Sequence, residues 1–158
     1  ASVTDKPGGS ARVGKDVPVQ IVELCSEAEF EEAFPVVREL HGGLDGRKYA
    51  ELLAEMVPNG YRMFAVRDDG ELAAMAGVQV LTNLYYGRHL YVYDLVATAD
   101  ARSKGHGAAL MEHLERFARQ EGCKYLALAC GQEREDALRF YERIGFERPS
   151  FSMRKALL

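Results

Sequence analysis

A chain of 158 residues, 47% hydrophobic and 28% charged, is long enough to bury a sizeable core and has the composition of a soluble globular domain. Its formal charge of −4 speaks against nucleic acid as the main partner, while leaving room for a local basic patch. Cys25, Cys123 and Cys130 show no CxxC spacing, and no apolar run approaches the roughly 20 residues of a membrane span. These features lead us to expect a cytoplasmic protein without membrane association.

Residues 1–17 lack the apolar centre of a signal peptide and read as a flexible arm, leaving residues 18–158 as a single domain. "VQIVEL" (19–24) has strand-like content. "SEAEFEEAFPVVRELH" (26–41) opens with a capping-box spacing, Ser26 to Glu29, and carries helical periodicity. Pro35 within it predicts a kink or a break. "GRKYAELLAEM" (46–56) is a second amphipathic helix, stopped by Pro58-Asn59-Gly60.

The period then changes. Residues 61–68, 71–86 and 88–98 read as three successive antiparallel strands, with Asp69-Gly70 and Gly87 in the turns. A helix from about Gly107 to Gln120 gathers Leu110, Met111, Leu114 and Phe117 on one face. "KYLALAC" (124–130) is a short apolar strand, "EREDALRFYERIG" (133–145) another helix, and "SFSMRKAL" (150–157) a strand that closes the sheet. The strand–loop–helix–strand stretch from 88 to 130 demands a parallel pair joined by a crossover. The expected fold is α/β: a mixed sheet with helices on both faces.

The crossover loop carries the chemistry. "ARSKGHGA" places two glycines and two basic residues where a helix leaves the end of a central strand. The first backbone N–H groups of such a helix have no intrahelical acceptor and form an anion site. Gly105 and Gly107 leave room for phosphate oxygens, and Arg102 and Lys104 add charge from the rim. Neither GxxxxGK[ST] nor GxGxxG is present, which disfavours nucleoside triphosphates and dinucleotides and favours a simpler pyrophosphate.

"RSKGHGA" resembles the RxxGxG/A signature of the GNAT N-acetyltransferase superfamily, and "ALRFYERIGFE" (137–147) resembles its second recurrent block. Both blocks stand in the family's order and separation, and the resemblance spans residues 18 to 157. It implies a GNAT-like acyl-CoA N-acyltransferase fold with acetyl-CoA as cosubstrate, without a metal. It also implies direct attack of a primary amine on the thioester in a ternary complex. Leu95, Val96 and Ala97 would present backbone groups to the pantetheine arm, with an N–H near Val96 polarising the thioester carbonyl. The N–H groups from Ser103 through Lys104, Gly105, His106, Gly107 and Ala108 would hold the pyrophosphate.

Tyr141 falls on the family's tyrosine, which protonates or orients the departing thiolate; a core tyrosine is the alternative. Asp94 is the one charge between Leu90 and Ala97, and relatives carry an acid nearby that draws the amine's proton; a buried structural acid is equally open. Many relatives have Asn where this chain has Arg134, which leaves that cofactor contact in question. Asp68, Asp69 and Glu71 read as solvated turn residues, and His106 as packing or solvent-facing. The four histidines have no metal-ligand spacing with the cysteines.

The acceptor would be a small-molecule or peptide amine, bound by the amino-terminal helices, at "HGGLDGRKYAEL" (41–52), and by the segment 82–94. Tyr85, Tyr86, Tyr91 and Tyr93 would suit an aromatic amine, and Asp45, Glu51 and Glu55 a cationic one. The same residues equally make ordinary sheet and helix surfaces. A non-catalytic acetyl-CoA sensor, a protein-interaction domain and a tRNA-directed acyltransferase are the competing classes. The acidic net charge argues against the last. A homodimer is compatible with the aromatic-rich strands.

Overall fold

The computed structural model describes residues 19–102 and 104–158, so the amino-terminal arm and Ser103 lie outside the described residues. Five strands, β1 (Gln20–Leu24), β2 (Arg62–Asp68), β3 (Glu71–Asn83), β4 (Gly87–Ala97) and β5 (Tyr125–Leu128), form one sheet in the order β1-β2-β3-β4-β5. The first four run antiparallel to their neighbours, and β5 lies parallel to β4. Four helices join them: α1 (Glu27–Leu40), α2 (Gly46–Met56), α3 (His106–Gln120) and α4 (Glu135–Arg143).

Local chemistry sets the boundaries. Ser26 accepts from the Glu29 N–H while the Glu29 carboxylate returns to the Ser26 N–H, completing the expected capping box of α1. Asp45 caps α2 by accepting from the Lys48 N–H at 2.8 Å. Between β2 and β3, Asp69 and Gly70 both adopt positive φ, as a two-residue hairpin turn requires.

The sheet is covered on both faces. Ala33, Val36 and Val37 of α1, with Tyr49 and Leu53 of α2, pack on Met63, Ala65 and Met75. On the other face Leu110, Met111, Leu114 and Ala118 of α3 pack on Phe64, Val66, Ala76, Leu90 and Val92. The mixed α/β sheet predicted from the sequence is thus the one observed.

Two expectations need correction. Pro35 does not break the first helix, which runs unbroken from Glu27 to Leu40. Pro35 and Glu31 are exposed, so the carbonyl left without a donor four residues upstream faces water. Buried Ala33, Val36 and Val37 hold the segment helical from the other side. Residues 150–157 form no strand, and β5 ends the sheet among the described residues. Alternating apolar content sets a propensity, but a strand also needs a paired ladder, and this segment lies exposed with Phe151, Met153 and Leu157 uncovered.

Candidate active site

The helix expected to bind an anion is the one that enters bare. Gly105, the residue before α3, has φ 79° and ψ 11°, a left-handed conformation that glycine adopts without penalty. Among the described residues no side chain caps α3, in contrast to α1 and α2. The first helical bond at this end, among the described residues, runs from the Ala109 N–H to the Gly105 carbonyl. The N–H groups of His106, Gly107 and Ala108 therefore point out of the helix start.

The flanking residues divide unevenly. The Lys104 N–H donates to Ala101 O at 3.3 Å and the Arg102 N–H to Thr98 O at 3.0 Å, so these two amides are engaged. Their side chains are exposed, and the Arg102 guanidinium lies 3.6 Å from the Glu39 carboxylate. A Cβ on Gly105 would meet open space, whereas one on Gly107 would touch Phe140 of α4 at 3.8 Å. Gly105 thus faces outward, while Gly107 sits at the approach of α3 to α4.

The His106 ring turns inward. It is buried, and its Nε2 lies 3.0 Å from Asp68 Oδ2 at the end of β2. Asp68, expected to be merely solvated, is therefore the partner of a buried imidazole and ties the start of α3 to the sheet.

Strand β4 outruns its parallel neighbour. Pairing with β5 stops at Val92↔Leu128, while pairing with β3 continues to Ala97. The Thr98 N–H donates to Ala73 O. By the two-residue alternation of an antiparallel ladder, Val96 and Asp94 also turn their backbone groups toward β3. Leu95 and Ala97 turn theirs to the opposite edge, where β5 has ended. The open backbone donors of this edge belong to Leu95 and Ala97, and the Val96 N–H, expected to face the cleft, faces β3.

A bulge decides where Asp94 goes. Gly77 pairs with Asp94 and Val78 with Val92, which leaves Tyr93 as an extra residue in β4. Leu90 and Val92 face α3, and strict alternation would have sent Asp94 there as well. The inserted residue instead places Asp94 on the α1–α2 face, where Oδ1 lies 2.5 Å from Nε2 of His41, the residue that ends α1. Tyr93, on the same face, donates to Gln79 and lies 6.0 Å from the Tyr61 ring.

Two further tyrosines feel the charge of the Asp94 carboxylate. Burial, with a smaller contribution from Asp94, pushes the Tyr49 phenol up to about 12. Burial and the same carboxylate push Tyr61 up as well. The Tyr61 hydroxyl occupies the space where a Cβ on Gly77 would stand, 1.9 Å away, so only glycine fits opposite Asp94. Asp94 is no lone buried acid; its environment is one imidazole and a group of protonated phenols.

Tyr141 of α4 is buried, with Phe140 and Phe146 rings 5.4 and 5.5 Å away. Burial raises its phenol, as does Cys130 just beyond the end of β5, and Arg134 offsets this in part. The hydroxyl therefore keeps its proton at neutral pH. Among the described residues no cluster of three or more His, Cys, Asp or Glu side chains is placed to hold a metal ion, and no helix is long and apolar enough to cross a membrane.

Several acceptor candidates are placed or engaged elsewhere. Tyr85 and Tyr86 lie in the β3–β4 turn, at the opposite end of β4, where Asn83 Oδ1 accepts both of their N–H groups. Asp45 is spent capping α2 and Glu51 pairs with Arg47. Sequence reasoning put His41 at the head of the acceptor stretch 41–52 but gave it no role of its own. The only signal it carried was its place at the end of an amphipathic helix, and its pairing with Asp94 depends on a bulge that no local pattern announces.

Comparison with known proteins agrees with this geometry. The model of the acetyltransferase (GNAT) family matches residues 26–146. The chain is 34% identical over 139 residues to an uncharacterized N-acetyltransferase, YhdJ, of Bacillus subtilis, covering 87% of this chain and 98% of that protein. It is 31% identical over 101 residues to the aminoalkylphosphonate N-acetyltransferase of Salmonella typhimurium, covering 63% of this chain and 65% of that one. Among solved structures, the aminoglycoside N-acetyltransferase AAC(6')-Iy in complex with CoA shares the fold with a TM-score of 0.77 at 14% identity, over 88% of this chain and 94% of that one. A sheet whose fourth strand outruns its parallel partner, the uncapped helix behind it and the family match lead to one conclusion: the chain belongs to the acetyltransferase (GNAT) family.

Proposed function

We propose that the protein transfers the acetyl group of acetyl-CoA to a primary amine, with both substrates bound together. The observation that carries this reading is the adjacency of two backbone surfaces that are open among the described residues. The open edge of β4 at Leu95 and Ala97 leads directly into the uncapped start of α3. A ligand that fits both has an amide-bearing arm to pair with a strand and a pyrophosphate for the helix end, which is the chemistry of coenzyme A.

Acetyl-CoA supplies an activated thioester. The chain supplies positioning first, since holding two reactants together accounts for most of the rate in such a reaction. The N–H groups of His106, Gly107 and Ala108 hold phosphate oxygens, and the Lys104 and Arg102 side chains add charge. An N–H on the open edge, from Leu95 or Ala97, is placed to polarise the thioester carbonyl. Tyr141 keeps its proton and gives it to the leaving thiolate. Asp94 provides the negative charge on the acceptor side. The unbridged cysteines support a cytoplasmic location.

The acceptor is an amine whose class the relatives' names frame as small and polar, from aminoalkylphosphonates to aminoglycosides. Incubation with acetyl-CoA and a panel of such amines, read as release of free thiol, tests the proposal. Amine-dependent thiol release supports it. Tight acetyl-CoA binding with no acetylated amine from the panel or from a cell extract would favour a sensor.

A further inference from the structure

We propose that His41 is the group that takes the amine's proton, and that Asp94 acts through it as a positioning residue. This assignment rests on the acetyltransferase reading above and deepens it on the acceptor side.

The starting observation is the 2.5 Å approach of His41 Nε2 to Asp94 Oδ1. An ionised carboxylate only accepts, so Nε2 carries the shared proton, and in the neutral ring that a base requires the lone pair is on Nδ1. Among the described residues, Nδ1 has no hydrogen-bond partner. Exposure separates the two partners: the His41 side chain is 46% exposed and that of Asp94 16%. Asp94 is held under α1 and α2, whereas His41 presents a basic nitrogen to the surface. An incoming amine therefore meets the imidazole before it meets the carboxylate.

The surroundings fit that division of labour. Tyr49 and Tyr61, whose phenols feel the carboxylate's charge, are held protonated by burial and by Asp94 itself, so neither accepts a proton. The carboxyl-terminal end of α1 and the Asp94 carboxylate both stabilise the imidazolium that forms. The bulge at Tyr93 brings this pair to the strand that carries the open edge, one residue before Leu95.

The step balances. The amine lone pair forms the C–N bond, and the C–S bond breaks with its electron pair on sulfur. The nitrogen's proton passes to Nδ1 of His41, and the thiolate takes the Tyr141 proton. His41 then releases its proton to solvent, and Tyr141 regains one from solvent.

Two measurements test the assignment. The first is turnover with 2-aminoethylphosphonate and sisomicin as acceptors, comparing wild type, His41→Ala, Asp94→Asn and the double variant. We expect kcat to fall on the order of 10²-fold in each, the usual scale for a positioned base. The KM for acetyl-CoA should stay unchanged, the double variant should be no worse than the singles, and added imidazole should restore His41→Ala at least about tenfold. Unchanged kcat in His41→Ala, or a loss that imidazole does not restore, overturns the proton assignment while wild-type turnover keeps the acetyltransferase reading intact. Failure of the wild type to bind acetyl-CoA overturns that reading and this step with it.

The second measurement needs no acceptor. Long-range ¹H–¹⁵N NMR, at a pH well above the ordinary imidazole value of about 6.5, should show His41 protonated on Nε2. In Asp94→Asn, whose amide can donate, the proton should move to Nδ1. A wild-type ring protonated on Nδ1 overturns the proposal whatever the acceptor.

Discussion

His106 Nε2 lies 3.0 Å from Asp68 Oδ2, which joins the first residue of α3 to the last residue of β2. The helix end to which we assign the phosphates is thus held from beneath by a polar pair whose imidazole is buried. We predict that Asp68→Ala leaves the buried imidazole without a partner and lowers stability by about 1–3 kcal/mol. Its acetyl-CoA affinity should fall several-fold, with kcat nearly retained. Denaturant unfolding and calorimetry on the same preparation check both effects, and unchanged affinity would show that the pair does not position the loop.

Gly77 faces the Tyr61 hydroxyl so closely that a methyl group cannot be added. Gly77→Ala should displace Tyr61 and strain the pairing with Asp94 at the bulge, at a cost of about 1–3 kcal/mol from overpacking. The variant should also lose activity out of proportion to its stability. A double variant, Gly77→Ala with Tyr61→Ala, should recover the overpacking cost when measured against Tyr61→Ala alone, because the hydroxyl, Cζ and Cε2 that stand 1.9, 2.5 and 2.8 Å from the new methyl are all gone. No recovery would place the strain elsewhere in β3.

Replacing Tyr141 by Phe removes one oxygen from a buried ring and leaves its packing in place. We expect kcat to drop about 10²-fold or more, the scale of a lost general acid, with the KM for acetyl-CoA little changed. An acyl donor whose thiol leaving group is more acidic should narrow the gap between variant and wild type. A gap that does not depend on the leaving group would make Tyr141 a packing residue.

Tyr49, Tyr61 and Tyr141 all have phenols raised by burial. Their folded values lie above the unfolded one, so their contribution to stability is complete below about pH 10. It is lost as pH rises from there through the folded values, Tyr49 at about 12 among them. Ultraviolet titration of tyrosinate should show a first group of exposed phenols. A second group should ionise only as circular dichroism reports unfolding. A single, early transition for all eight tyrosines would contradict their burial.

How much of this was legible in the sequence depends on the range of the interaction that sets each feature. The Ser26–Glu29 box, the Asp69-Gly70 turn and the apolar face of α3 are local, and their residues announce them. The glycine-rich entry to α3 was equally readable, because an uncapped helix start is a matter of which side chains are missing. The side chain of His106 was read as packing or solvent-facing, and its pairing was not foreseen, since its partner Asp68 lies 38 residues away in sequence. The His41–Asp94 pair was not legible at all. It joins residues 53 apart, and period-two reasoning puts Asp94 on the wrong face unless the bulge at Tyr93 is known. The strand expected at 150–157 failed for the related reason that its content named no partner edge.

The most direct measurement is calorimetric titration of acetyl-CoA into the wild-type protein and into a variant carrying Arg102→Glu and Lys104→Glu. Both side chains are exposed, so the variant should fold as the wild type does. We predict binding on the order of micromolar for the wild type, at least about tenfold weaker for the variant, with the difference shrinking as salt is added. No heat of binding in the wild type, or equal affinity in the two proteins at low salt, would contradict the assignment of the α3 entry as the site of the cofactor's phosphates.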